Sequence, residues 1–262
     1  MLLIQLGAAL SHPMLVTSGA ASVTWLRLCW AAVLLQAFVR PVDAWREVFA
    51  GRAWSAVALG AASGVMTLCY FEALARIPQG MANAIEFLGP LSVAVAGSRR
   101  PRDFLWAALA AIGVVLLLQP GRAWHTDVPG IAFAVAAAFC WAAYIVLTKR
   151  VGVRFAGFEG VAVSMFVASL ITAPLGLAQA WDAVSVRDVL AAGGLAILIP
   201  VLPYVLELSA LRRLSTRSFG ILMSAEPAIA TAMGVLLLGQ MPGPLQALGF
   251  VAVIAASIGT LR

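Results

Sequence analysis

Apolar residues run along this chain in long unbroken blocks, and polar residues gather in the short gaps between them. The blocks do not alternate with a period of two, so they predict helices rather than the strands of a barrel. A helix that crosses a bilayer needs about 20 apolar residues. By that measure the pattern predicts ten spans, over residues 2–19, 20–39, 54–74, 80–97, 104–119, 129–148, 157–179, 188–210, 218–238 and 244–261. The gaps leave no room for a separate soluble domain. The expected fold class is therefore an all-α membrane protein.

Composition points the same way. Of the 262 residues, 63% are hydrophobic and 11% charged, whereas a soluble domain carries about 25% charged residues. Met1-Leu2-Leu3-Ile4 lacks the basic start of a cleavable signal. The first span is short and has no polar lead-in, so it is expected to be incomplete, with the natural N-terminus missing.

The net charge of +6 would suggest nucleic acid in a soluble protein. Here its placement along the chain gives a different reading, with no nucleic acid. Thirteen basic residues fall beside one set of loops: Arg40, Arg46 and Arg52; Arg99, Arg100 and Arg102; Lys149, Arg150 and Arg154; Arg212, Arg213 and Arg217; and Arg262. Only Arg76, Arg122 and Arg187 fall in the opposite set. The positive-inside rule then predicts cytoplasmic N- and C-termini.

Four carboxylates lie inside the predicted spans: Glu72, Glu86, Glu207 and Glu226. Each charge at a helix centre costs roughly 2.5–3.5 kcal/mol on insertion scales, so all four are expected to face a protein interior or a wet cavity, as substrate-binding or coupling groups. Arg27 is the one basic residue well inside a span. Its planar guanidinium can grip a substrate carboxylate bidentately or hold a structural ion pair with one of the buried glutamates.

The halves resemble each other. Ala73-Leu74-Ala75-Arg76-Ile77 aligns with Ala210-Leu211-Arg212-Arg213-Leu214, and Pro90 aligns with Pro227 at the same offset. Five spans per half is an odd number, so the second copy must be inverted. The predicted units are residues 1–124 and 125–262. Two inverted five-helix repeats supply related states open to opposite sides, which is a transporter signature.

Pro90 and Pro227 interrupt spans 4 and 9, and proline bends a helix and frees carbonyls. Each has a glutamate at or near it. Glu86 lies roughly 10 Å below the outer end of span 4, and Glu226 roughly 13 Å above the inner end of span 9. A carboxyl there can hold a proton and exchange it for a substrate ammonium, so proton-coupled exchange is a candidate mechanism. Pro200 and Pro203 read as a further kink in span 8, either flexing or static.

An amino acid is a zwitterion, and in an apolar surround it needs an anion near its ammonium and a cation near its carboxylate. Glu86, Glu226 and Arg27 have those signs. Tyr70, Asn83, Trp141, Tyr144, Tyr204 and Ser224 either shape such a pocket or pack helices.

Enzyme classes find little support. The two histidines, His12 and His125, have no nucleophile motif beside them, and no phosphate loop or dinucleotide fingerprint occurs. Cys29, Cys69 and Cys140 lack metal-ligand spacing. Neither a metal nor a cofactor is expected. A channel-like pore is the competing reading from a different class.

Longer stretches carry a family likeness. Leu202-Pro203-Tyr204-Val205-Leu206-Glu207, Ala210-Leu211-Arg212-Arg213-Leu214-Ser215-Thr216-Arg217-Ser218-Phe219-Gly220 and Leu222-Met223-Ser224-Ala225-Glu226-Pro227-Ala228 do so in the second half, as does Ala138-Phe139-Cys140-Trp141-Ala142-Ala143-Tyr144-Ile145. Ile77-Pro78-Gln79-Gly80, Ala84-Ile85-Glu86-Phe87-Leu88-Gly89-Pro90-Leu91 and Ser98-Arg99-Arg100-Pro101 do so in the first. With these the chain resembles the threonine/homoserine exporters of the EamA branch of the drug/metabolite transporter superfamily. The resemblance implies a ten-helix fold of two inverted five-helix repeats in the bacterial inner membrane and export of small amino acids, while monomer and homodimer both stay open. An exporter of another metabolite or drug with the same fold is the alternative. One departure stands out: the family often has Gly-Glu before its last helix, whereas here the pair is Gly239-Gln240, so no acidic role is assigned there.

Overall fold

The computed structural model describes residues 1–96, 102–118, 127–155, 157–203, 206 and 225–259. Those residues are helical, joined by short turns. The helices are α1 (Leu2–Ser18), α2 (Ala20–Val39), α3 (Val42–Phe49), α4 (Trp54–Leu74), α5 (Gln79–Glu86), α6 (Leu88–Ala96), α7 (Arg102–Leu117), α8 (Val128–Arg154), α9 (Glu159–Ala183), α10 (Val186–Ala196), a π-helical turn (Ile197–Val201), α11 (Glu226–Leu238) and α12 (Pro244–Gly259). Within α2, α4, α8 and α9 lie four segments long and apolar enough to cross a membrane, and α1 and α11 are shorter apolar helices.

Two features depart from the hydrophobic pattern. The loop after span 2 contains α3, whose Trp45 packs edge-on to Phe166 at 5.2 Å while Asp43 and Arg46 pair on the open side. In place of one span from residue 80, Gln79–Glu86 and Leu88–Ala96 form two short helices that part at Phe87. The cause lies three residues on: Pro90 has no N–H to return to the Glu86 carbonyl, so the ladder lapses directly after Glu86.

The closest packing runs through small residues. Gly60 and Gly64 of α4 face α9, and a Cβ at Gly60 would lie 2.5 Å from the Ser164 carbonyl oxygen. Ser164 Oγ donates across to the Ala56 carbonyl at 3.0 Å. This is the small-xxx-small contact by which membrane helices approach. Gly60→Ala should therefore destabilise the protein by about 1–3 kcal/mol through overpacking. The same change at Gly152, where a Cβ would meet nothing within 4 Å, should be neutral or stabilising, because alanine is the better helix former by about 1 kcal/mol. Thermal unfolding in one detergent compares the two, and equal shifts would contradict the packing account.

Ion pairs tie the halves of the chain at two loop ends. Glu47 accepts from Arg52 at 2.7 Å and from Arg154 at 2.5 Å. These two guanidinium groups hold its carboxyl down at about 2. Arg76 pairs with Glu72 and reaches Asp127 at 3.9 Å. Asp127 also starts α8, accepting the Gly130 N–H at 2.9 Å.

Candidate functional site

A cavity of about 440 Å³ lies at the centre of the bundle, within the roughly 300–1,000 Å³ usual for small-molecule sites. Arg27, Tyr70, Asn83, Glu86, Trp141 and Tyr144 line it, together with Glu226 and Pro203. These charged and polar side chains come from α2, α4, α5, α8 and α11, so the sequence candidates converge from both halves. Met66, Met165, Leu28 and Ile229 supply apolar wall.

Arg27 is 2% exposed. Its Nη2 donates to the Ile199 carbonyl at 3.0 Å and its Nη1 to Ser11 Oγ at 3.4 Å. The guanidinium lies over the Phe71 ring, 4.4 Å from the centroid. The acceptor is supplied by the proline-rich turn. Ile199 is extended, with φ −147° and ψ 121°, and Pro203 has no N–H to give its carbonyl. The kink read from Pro200 and Pro203 thus presents a backbone oxygen to the buried cation. Among the described residues Arg27 has no carboxylate within ion-pair distance, and its Nε has no hydrogen-bond partner. No Glu pair accounts for it there, and the guanidinium keeps a donor in reserve at the cavity wall.

Glu86 closes α5 and is 6% exposed; Glu226 opens α11 and is 3% exposed. Glu226 Oε1 accepts from Gln5 Nε2 at 3.2 Å. Gln5 Oε1 in turn accepts from Tyr70 Oη at 3.4 Å and from Gln79 Nε2 at 2.9 Å. Pro227 sits in the first turn of α11, where its missing N–H costs no bond. Trp141 meets Phe87 edge to face at 6.0 Å.

Not every candidate joins the cavity. Glu72 pairs with Arg76 at the end of α4 and does not line it. Pro90 acts on the helix break rather than on the wall. Tyr204, Glu207 and Ser224 lie outside the described residues. The cavity adds residues that the sequence did not single out. Gln5 and Thr24 line it, and both are fully buried. Thr24 Oγ1 has no partner among the described residues. Their signal was a neutral polar group inside an apolar span, which a charge search passes over.

Charges and hydrogen-bonding groups gathered around a cavity between membrane helices can bind a small polar solute. Comparison with known proteins agrees. The model of the EamA-like transporter family matches residues 128–262. Over 260 residues the chain is 42% identical to the threonine/homoserine exporter RhtA of Escherichia coli (strain K12), covering 98% of this chain and 87% of that protein. It is 41% identical, with the same coverage, to the threonine/homoserine exporter RhtA of Salmonella typhimurium (strain LT2). The chain belongs to the EamA-like transporter family. An uncharacterized transporter of Clostridium kluyveri is 26% identical over 158 residues, 57% of this chain and 51% of that one. A crystal structure of a protein aligns with a TM-score of 0.59 at 22% identity over 98% of this chain and 94% of its own, a likeness of fold alone. As an EamA-like transporter, the protein is a multi-pass membrane protein acting on a small molecule, and not an enzyme.

Proposed function

We propose that this EamA-like transporter exports a small zwitterionic amino acid of the threonine and homoserine type across the bacterial inner membrane by alternating access. One observation carries the reading: Arg27 lines the same buried cavity as Glu86 and Glu226, in a chain whose relatives are named threonine/homoserine exporters. The spare Arg27 donor suits a substrate carboxylate, and the glutamates suit an ammonium. Thr24, Asn83 and Tyr70 are placed to bond a side-chain hydroxyl. Proton exchange for the ammonium is the coupling step proposed for Glu86 or Glu226.

The proposed architecture is ten spans in two inverted repeats, residues 1–124 and 125–262, with both termini cytoplasmic and a monomer or homodimer as the working unit. The packing pattern supports it. Exchange α1 with α8, α2 with α9, α4 with α10, α5–α6 with α11, and α7 with α12. The contacts α2–α9, α7–α12 and α5–α11 then map onto themselves, while α4–α9 maps onto α2–α10 and α5–α8 onto α1–α11. These pairings are the ones that a two-fold relation between the halves predicts. The family match over 128–262 covers the second proposed repeat.

The test is expression in an amino-acid-sensitive bacterial strain, followed by resistance and efflux across threonine, homoserine, serine and cysteine. Resistance to threonine or homoserine with matching efflux is expected. The methionines and Trp141 of the wall favour a second reading, a larger and more apolar solute. Resistance to a drug, with none to the four amino acids, would select it.

A further inference from the structure

Three glutamines form a continuous hydrogen-bonded column between the central cavity and a second, smaller one. The second cavity, about 160 Å³, is lined by His12, Arg76, Ile77, Pro78 and Gln240. The column starts at Glu226, whose Oε1 accepts from Gln5 Nε2. Gln79 Nε2 donates to both Gln5 Oε1 and the Gln5 backbone carbonyl, each at 2.9 Å. The Gln79 backbone N–H donates to Gln240 Oε1, again at 2.9 Å. Gln5 is on α1, Gln79 begins α5, and Gln240 follows α11, so the column joins the two halves of the chain.

Gln5 and Gln79 are 0% and 1% exposed, so nothing aqueous passes along the column in this state. The local backbone is built to hold Gln240 there. Gly239 is left-handed at φ 66°, which turns the chain back at the end of α11. The Gln240 N–H then donates to the Gly234 carbonyl at 3.0 Å. Gly234 has no side chain to obstruct the amide: a Cβ there would stand 2.8 Å from Gln240 Oε1. At the other end of the bond Gln79 Oε1 is buried with no partner among the described residues. The closed arrangement therefore leaves one acceptor unsatisfied, and separating the helices forfeits less than a fully bonded contact would.

The geometry points to a gate: the Gln5–Gln79–Gln240 column closes the central cavity toward the face that carries Arg76, and its inner end is fastened to Glu226. This rests on the proposed transport reading, with the Arg76 loop outside. A change in what Glu226 binds alters the Gln5 contact and hence the seat of Gln79. Gln240 is thus a positioning residue that touches no substrate. What it must supply is an acceptor for one backbone N–H, and a glutamate there would supply it equally.

The test reads accessibility rather than transport, so it stands apart from any assignment of substrate. In a chain with Cys29, Cys69 and Cys140 replaced by alanine, Met66→Cys places one thiol on the central cavity. Intact cells are treated with a membrane-impermeant maleimide from outside. Gln240→Leu removes the acceptor and should raise labelling several-fold. Gln240→Glu should leave it unchanged. Gly234→Ala, which crowds the amide while favouring the helix, should also raise labelling and serves where Gln240→Leu fails to reach the membrane. Unchanged labelling in the leucine and alanine variants, an equal rise in the glutamate variant, or a rise only from the cytoplasmic side of inverted vesicles would overturn the gate.

Discussion

Replacing Arg27 by methionine should abolish export of a carboxylate-bearing substrate, and replacing it by lysine should weaken export at least ten-fold. Methionine approximates the length of the side chain and keeps its apolar stem, so the cavity wall stays packed but loses its cation. A hydrogen bond to a charged group is worth about 1.5–3 kcal/mol, or roughly 10- to 100-fold in affinity at 1.4 kcal/mol per decade. Lysine retains the charge, but it cannot hold the Ile199 carbonyl, stack on Phe71 and still offer the substrate a fork of donors. A structural role for Arg27 would also depress export, so the decisive readout is ligand discrimination. The wild-type protein should prefer threonine to threonine amide, and the methionine variant, where it binds either, should not tell them apart. Retained preference for the free carboxylate in that variant would assign the carboxylate contact elsewhere.

The second large effect is expected from Glu86→Gln and Glu226→Gln. Glutamine keeps the size and one carbonyl acceptor of each side chain, so Gln5 can still donate at position 226. It cannot neutralise an ammonium or carry a proton. Each variant should reach the membrane in normal amount, and each should lose efflux by about 10- to 100-fold for the same charge-assisted contact. The variant that carries coupling should lose, in addition, the response of any residual flux to an imposed pH gradient. Efflux equal to wild type in both variants would make the two carboxyls structural.

The reasons these groups were legible in the sequence are energetic. A charge in hydrocarbon is expensive enough to be kept only for cause, so Glu86, Glu226 and Arg27 stood out and the cavity collects all three. The same rule over-reached at Glu72, which satisfies its charge with Arg76 instead. The prolines were legible as kinks, but their uses differ: Pro90 ends the ladder behind Glu86, Pro203 frees an acceptor for Arg27, and Pro227 opens a helix. Asn83 was legible as a pocket candidate, but the glutamines were not. Gln5 costs far less than an ion in a span, Gln79 and Gln240 fall just outside the predicted spans, and their meaning lies in partners 74 and 161 residues apart. Nor was α3, because its eight residues fall within a charged loop and draw stability from Trp45 against Phe166 rather than from any run of apolar residues. The family likeness rested on blocks such as Glu86-Phe87-Leu88-Gly89-Pro90, and identity over nearly the whole chain agrees with it.

The most direct measurement is counterflow with the purified protein in liposomes. Vesicles loaded with unlabelled threonine and diluted into a trace of labelled threonine should accumulate the label transiently, and Glu86→Gln should eliminate the overshoot. Label that only equilibrates through the wild-type protein, without overshoot or saturation, would indicate a pore rather than a two-sided binding site. It would contradict alternating access around the Arg27, Glu86 and Glu226 cavity.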